Sequence, residues 1–138
     1  MHASPDRFTE KAWEVIVLAQ NLSKDHCHQY LETEHLLFAL ITFDELSKRI
    51  LSKANVSLIA IESSLAKHLE EKPKLGNTPD SIFMSKTLSK LFDKANDLKE
   101  ELNDSFISVE HLLLALIEDD GSCKEILSNK NLDKVKVL

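Results

Sequence analysis

The chain has 138 residues, enough for one domain with a real core, and 43% of them are apolar, which excludes a disordered or fibrous chain. A net charge of -6 with scattered Lys and Arg excludes general attraction to nucleic acid, no apolar run exceeds six residues, and two cysteines cannot build a disulfide framework. Residues 1–7 lack a signal peptide's apolar segment, so the chain reads as soluble, reduced and cytoplasmic.

Taken in order, Phe8, Ala12, Val15, Ile16, Ala19 and Leu22 recur at three- and four-residue steps and predict an amphipathic helix with Thr9 as its N-cap. A polar loop follows over 25–30. The next helix starts near Glu32 or Thr33 and is apolar nearly all round over 36–41, so it is expected to be the buried centre of its half. Glu34 then falls in its first turn, where a carboxylate complements the helix dipole. Leu46, Ile50 and Leu51 mark a short third helix. Ser57 caps a fourth that turns Leu58, Ile61, Leu65 and Leu69 inward.

Residues 72–81 hold Pro73, Gly76 and Pro79 and read as a linker between a repeat at 8–71 and another at 82–138. The plan then returns. Leu88, Leu91, Phe92, Ala95, Leu98 and Leu102 line a fifth helix, capped by Ser81 or Ser85. Ser108 caps a sixth. Gly121 precedes a seventh carrying Ile126 and Leu127, and Asp133 begins an eighth that Leu138 cuts short, so the chain reads as a piece of something longer. The return has a fixed register. Glu34-His35-Leu36-Leu37 reappears 76 positions later as Glu110-His111-Leu112-Leu113, and 15 of the 55 pairs between 8–62 and 84–138 are identical without a gap. This is a tandem duplication. The expected fold is all-α, eight helices arranged as two four-helix repeats about an approximate two-fold axis.

The recurrent histidines, His35 and His111, have no catalytic partner that accompanies both copies, so they read as structural residues at a helix start. His26, Cys27 and His28, with His35, could form a metal site. Consecutive residues rarely converge on one tetrahedral ion, and the second repeat has Leu102, Asn103 and Asp104 in their places, so no metal is expected. Cys27 and Cys123 read as ordinary thiols. With two glycines and no Gly-Lys-Ser/Thr order there is no phosphate-cradling loop, and no nucleophile elbow or zinc-protease motif occurs.

Phe8-Thr9-Glu10-Lys11-Ala12-Trp13, Thr33-Glu34-His35-Leu36-Leu37 and the segment from Phe106 to Leu116 resemble the Clp amino-terminal repeat, the double four-helix module in front of the Clp ATPase rings. The resemblance covers essentially the whole chain. Lys74-Leu75-Gly76 and Asp104-Ser105-Phe106-Ile107-Ser108 look most like the disaggregase (ClpB) type, with the protease-serving ClpA and ClpC types as the near alternative. It implies a binding module that catches unfolded or aggregated polypeptide, or adaptor proteins, for an ATPase elsewhere. The module would need no cofactor of its own, ATP belonging to other domains. It would be a monomer in isolation and part of a hexamer in its parent. Residues tied to substrate handling in the ClpB type match Thr9, Asp104 and Glu110. Those tied to phosphoarginine in the ClpC type match Glu34 and Glu110, but Glu32 and Ser108 replace that type's glycine and Val109 its second threonine. An apolar groove between the repeats could supply the platform. The rivals are a stand-alone adaptor of the same fold and a small metalloprotein using His26, Cys27, His28 and His35.

The isolated chain is expected to show no ATP hydrolysis. Phosphate release that co-elutes with the protein and survives repeated purification would contradict this.

Overall fold

The structure is a computed structural model that describes residues 4–118 together with Cys123. After a 3₁₀ turn at Pro5–Arg7, the described elements are α1 (Glu10–Asp25), β1 (Tyr30–Leu31), α2 (Thr33–Phe43), α3 (Glu45–Lys53), α4 (Leu58–Glu71), β2 (Phe83–Met84), α5 (Lys86–Glu101) and α6 (Val109–Ile117). The expected seventh and eighth helices lie outside the described residues.

The hydroxyl caps are those that the sequence points to, and Asp44 is one that it does not single out. Thr9, Ser57 and Ser85 each accept from the backbone N–H three residues on, at 3.1, 3.2 and 3.1 Å, and Asp44 does the same for Ser47 at 2.9 Å. At the other end of α1 and of α5, the chain turns through a left-handed residue, Cys27 at φ 57° and Asn103 at φ 59°. Each turn closes with the same backbone bond, His28 N–H to the Ser23 carbonyl and Asp104 N–H to the Lys99 carbonyl. This is a Schellman-type stop, which asparagine tolerates better than cysteine.

α2 and α6 form the centre. From Leu36 to Ile41 only Phe38 is partly exposed, and Leu112, Leu113, Leu114, Ala115 and Leu116 are all buried. α1 packs on α2 as α5 packs on α6, and the two central helices touch each other. Two further cross-repeat contacts exchange partners, α1 meeting α6 and α5 meeting α2, and α3 also packs on α6. A two-fold relation between the halves produces this pattern.

The strands are a departure from the all-helical expectation, and they obey the same symmetry. β1 pairs in parallel with β2, Leu31 opposite Met84, while Phe8 forms an isolated parallel bridge with Ile107. Shifting each residue by the 76-residue register turns one pair into the other. The hydrogen bonds match too. Thr9 N–H donates to the Ile107 carbonyl at 2.9 Å, and Ser85 N–H donates to the Leu31 carbonyl at 3.1 Å. Phe8 adds an aromatic link between the halves, its ring 5.5 Å from that of Phe92.

Leu37→Ala and Leu113→Ala remove fully buried, register-equivalent side chains from α2 and α6. Each should cost about 2–5 kcal/mol by chemical denaturation with helical content retained. A cost near zero at either position would contradict the shared core.

Candidate functional site

The two repeats build the same frame before their central helices and fill it differently. At the start of α2, the Glu32 backbone N–H donates to His35 Nδ1 at 2.9 Å, and at the start of α6 the Ser108 N–H donates to His111 Nδ1 at 2.8 Å. With Nδ1 an acceptor in each ring, the proton must sit on Nε2. His111 Nε2–H donates to Asp104 Oδ2 at 2.9 Å, and His35 Nε2–H donates to His28 Nδ1 at 2.8 Å. Asp104 and His28 are register equivalents, so both histidines tie the loop before the helix to the helix start. That is a structural employment, and in the first repeat it occupies both ring nitrogens of His35 and Nδ1 of His28. The His26 and His28 rings stack 5.4 Å apart.

Burial, foremost, and the neighbouring His28 push the His35 ring down to about 3. Burial, His26 and Lys72 likewise lower His28, outweighing the pull of the Leu69 carbonyl. Its Nε2 is buried without a properly aligned hydrogen-bond partner. A buried ring in that position stays neutral.

The sequence offers Glu34 as a candidate binding group in the first turn of α2, but that helix start is covered. Glu34 is 5% exposed, with Oε2 2.8 Å from Lys72 Nζ and 3.1 Å from His68 Nε2, while Oε1 accepts from the Thr33 hydroxyl at 2.7 Å. Burial works to raise its carboxyl, but the Lys72 and Thr33 hydrogen bonds and the Lys72 charge win and hold it at about 2. Lys72 comes from the segment after α4, which lies over the first repeat. Leu75 N–H donates to the Cys27 carbonyl at 2.8 Å, and residues 72–75 share a cavity of about 250 Å³ with His28, Gln29, Tyr30 and Glu32. The segment's breakers mark it as a linker in sequence. Nothing in that pattern reveals that its lysine neutralises a carboxylate 38 positions earlier.

Among the described residues, the same frame is open in the second repeat. Thr9, Asp104 and Glu110 line one cleft of about 340 Å³ with Ser105, Phe106, Ser108 and His111. Asp104, Glu110 and His111 also border a neighbouring recess of about 340 Å³ that runs between the repeats along Leu46, Ile50, Leu102 and Leu114. Glu110 and Asp104 are exposed, and among the described residues Glu110 makes no ion pair or hydrogen bond. Leu102 and Phe106 are about half exposed beside them, so two carboxylates stand over an apolar floor. Three of the four residues singled out in the sequence thus come together, and Glu34 lies apart. Phe106 was not singled out, although its match to Tyr30 in the repeat register places it.

The Clp repeat (R) N-terminal domain profile matches residues 7–130. The chain belongs to that family. Over 93% of its length it is 47% identical to the chaperone protein ClpB 1 of Parasynechococcus marenigrum, and over 96% it is 40% identical to ClpB of Prochlorococcus marinus. It spans about 15% of the length of those curated relatives. The Clp N-domain fold matches the Hsp104 N-terminal domain from Candida albicans with a TM-score of 0.82 at 30% identity, covering 94% of this chain and 85% of that one. No helix among the described residues is long and apolar enough to cross a membrane.

The first-repeat cluster should make the stability of this Clp N-domain depend on pH in acid. His28 and His35 are held neutral in the fold but titrate near 6.5 once exposed, so unfolding takes up protons below that pH. Their contribution is fully present above pH 6.5 and drains as the pH falls, for His35 down to about 3. Glu34 is ionised in the fold, so its contribution is present above its ordinary 4.5 and is lost toward about 2. Stability should therefore fall in two overlapping limbs, each group adding a slope of up to about 1.4 kcal/mol per pH unit. Denaturant titrations between pH 8 and pH 3 will check this. In Lys72→Met the folded-state Glu34 carboxyl loses its cation and rises from about 2, so the lower limb should shrink or vanish with its onset still near 4.5, and in the parent chain a flat profile from 7 to 4 would refute the assignment.

Proposed function

We propose that this Clp N-domain recruits unfolded or aggregated polypeptide for a ClpB-like AAA+ disaggregase and hands it to that protein's ATPase ring. The domain binds and does not catalyse, and ATP is handled by domains outside this chain. The setting is the cytoplasm, with the domain itself a monomer and its parent a hexamer. The observation that carries the reading is the second-repeat cleft, where Thr9, Asp104 and Glu110 surround a half-exposed Phe106 and adjoin the apolar recess between the repeats. An apolar floor with a charged rim suits weak, tolerant capture of unfolded segments, with few fixed polar contacts to demand one sequence. A site of this size is consistent with micromolar affinity, roughly 8 kcal/mol.

Thr9 is both a cap and a wall of the cleft, so the test must separate the two roles. Removing its hydroxyl costs about 1 kcal/mol of helix capping, and removing Glu110 from a first helical turn costs no more than about that. Both are small beside an ordinary stability of about 5–15 kcal/mol. Thr9→Ala with Glu110→Ala should therefore remain helical by circular dichroism and melt a few degrees lower. Its anisotropy titration with a permanently unfolded, fluorescein-labelled protein, run well below the melting point, should show clearly weaker binding. Unchanged binding would remove both residues from the site.

A further inference from the structure

The duplication supplies an internal comparison that bears on what the open cleft holds. In the first repeat the frame is not empty, because the chain's own residues 72–75 lie in it. Their backbone leaves α4 extended, Lys72 having φ -68° and ψ 146°. Three contacts seat the segment. Lys72 Nζ reaches Glu34 Oε2 at 2.8 Å and lies 3.8 Å from Glu32 Oε2. Leu75 N–H donates to the Cys27 carbonyl at 2.8 Å. Leu75 and Tyr30 also line the same cavity.

Three of these receiving groups have a like counterpart in the second repeat, whereas Glu32 is replaced by Ser108. Glu110 stands in the register of Glu34, Asn103 in that of Cys27, and Phe106 in that of Tyr30. Cys27 and Asn103 share the left-handed conformation, at φ 57° and 59°, and sit in turns closed by the same backbone bond. Among the described residues the Asn103 carbonyl receives no backbone hydrogen bond and Glu110 has no cation beside it. The first repeat offers two carboxylates, Glu34 and Glu32, and the second also offers two, Glu110 and Asp104, although Asp104 approaches from the loop.

We propose that the second-repeat cleft takes an extended client segment in which a lysine is followed three positions on by an apolar residue. The segment lies there as residues 72–75 lie against the first repeat. The lysine pairs with Glu110, the backbone N–H of the apolar residue donates to the Asn103 carbonyl, and the apolar side chain packs on Phe106. This rests on the recruiting role proposed above and names the chemistry of what is recruited. Extended, lysine-bearing stretches with scattered apolar residues are exposed by unfolding, whereas in a folded protein the apolar residue is covered.

The probe is a synthetic peptide of residues 71–76, blocked at both ends and labelled with fluorescein, titrated against the whole chain by anisotropy and by amide chemical shifts. Intramolecular tethering should keep the first-repeat frame filled by its own segment, leaving the second as the available site. Shifts are expected at Asn103, Phe106 and Glu110. Glu110→Gln should weaken binding about fivefold, the range of a solvent-accessible ion pair. The peptide carrying Lys72→Met or Leu75→Ser should bind more weakly than the parent, while Glu62→Gln, an exposed charge on α4, should change nothing. Shifts confined to Tyr30 and Glu34, or affinity indifferent to Glu110→Gln, would overturn the inference. If an unfolded protein binds in a Glu110-dependent way but the peptide does not compete, this inference fails while the recruiting role stands. If neither binds, both fall.

Discussion

The arrangement depends on two backbone hydrogen bonds that exchange between the repeats. Thr9 and Ser85 each do two things at once. The side chain caps its own helix, and the backbone N–H reaches across to the carbonyl that precedes the other repeat's central helix. A residue at the start of α1 is thereby held beside the start of α6, and one at the start of α5 beside the start of α2. Without this exchange, Thr9 would belong to a different surface from Asp104 and Glu110, and the cleft would lose a wall. Two-residue strands contribute little as sheet; here they serve as pins that fix where helix starts meet.

What was legible in the sequence follows from what periodicity can carry. The three- and four-residue steps from Phe8 to Leu22 and from Leu88 to Leu98 locate helices because burial of one face leaves that trace. Thr9, Ser57 and Ser108 were legible as caps because a short hydroxyl side chain before an apolar run has a local reason to be there. The strand pairs were not legible. Tyr30 and Phe83, or Phe8 and Ile107, are single steps of extended chain whose partners lie far off in sequence, and two residues cannot display an alternating pattern. The burial of Glu34 was hidden for a related reason. The repeated Glu-His pair suggested equal surroundings, and the lysine that makes the difference sits in a stretch marked chiefly by its prolines and glycine.

That difference shows how a duplicated frame can divide its labour. The local chemistry of Glu34 and Glu110 is the same: a first-turn carboxylate, followed by a histidine whose Nδ1 accepts the cap residue's backbone N–H. On local grounds both should be worth the same few tenths of a kcal/mol to their helices. Covering Glu34 changes its role. A buried carboxylate is tolerated only with its charge paired and its lone pairs satisfied, and Lys72, His68 and Thr33 together meet that demand. Once committed in this way it cannot serve a passing ligand without first releasing its own segment.

The exchange of His28 for Asp104 carries the same division one step further. Both side chains receive the proton of the histidine at the helix start, so both hold the loop against the helix equally well. In the first repeat the receiving group is a neutral ring, 3% exposed, which fits beneath a segment that brings Lys72 and Lys74 close by. In the second it is a carboxylate left 53% exposed, which adds negative charge at the mouth of an open cleft. An aspartate beneath a covering segment would face the desolvation cost of a second buried charge, and a histidine at the open cleft would leave Glu110 without its acidic neighbour. The loop residue therefore follows from whether its helix start is covered or open, and that state is set by residues 72–75.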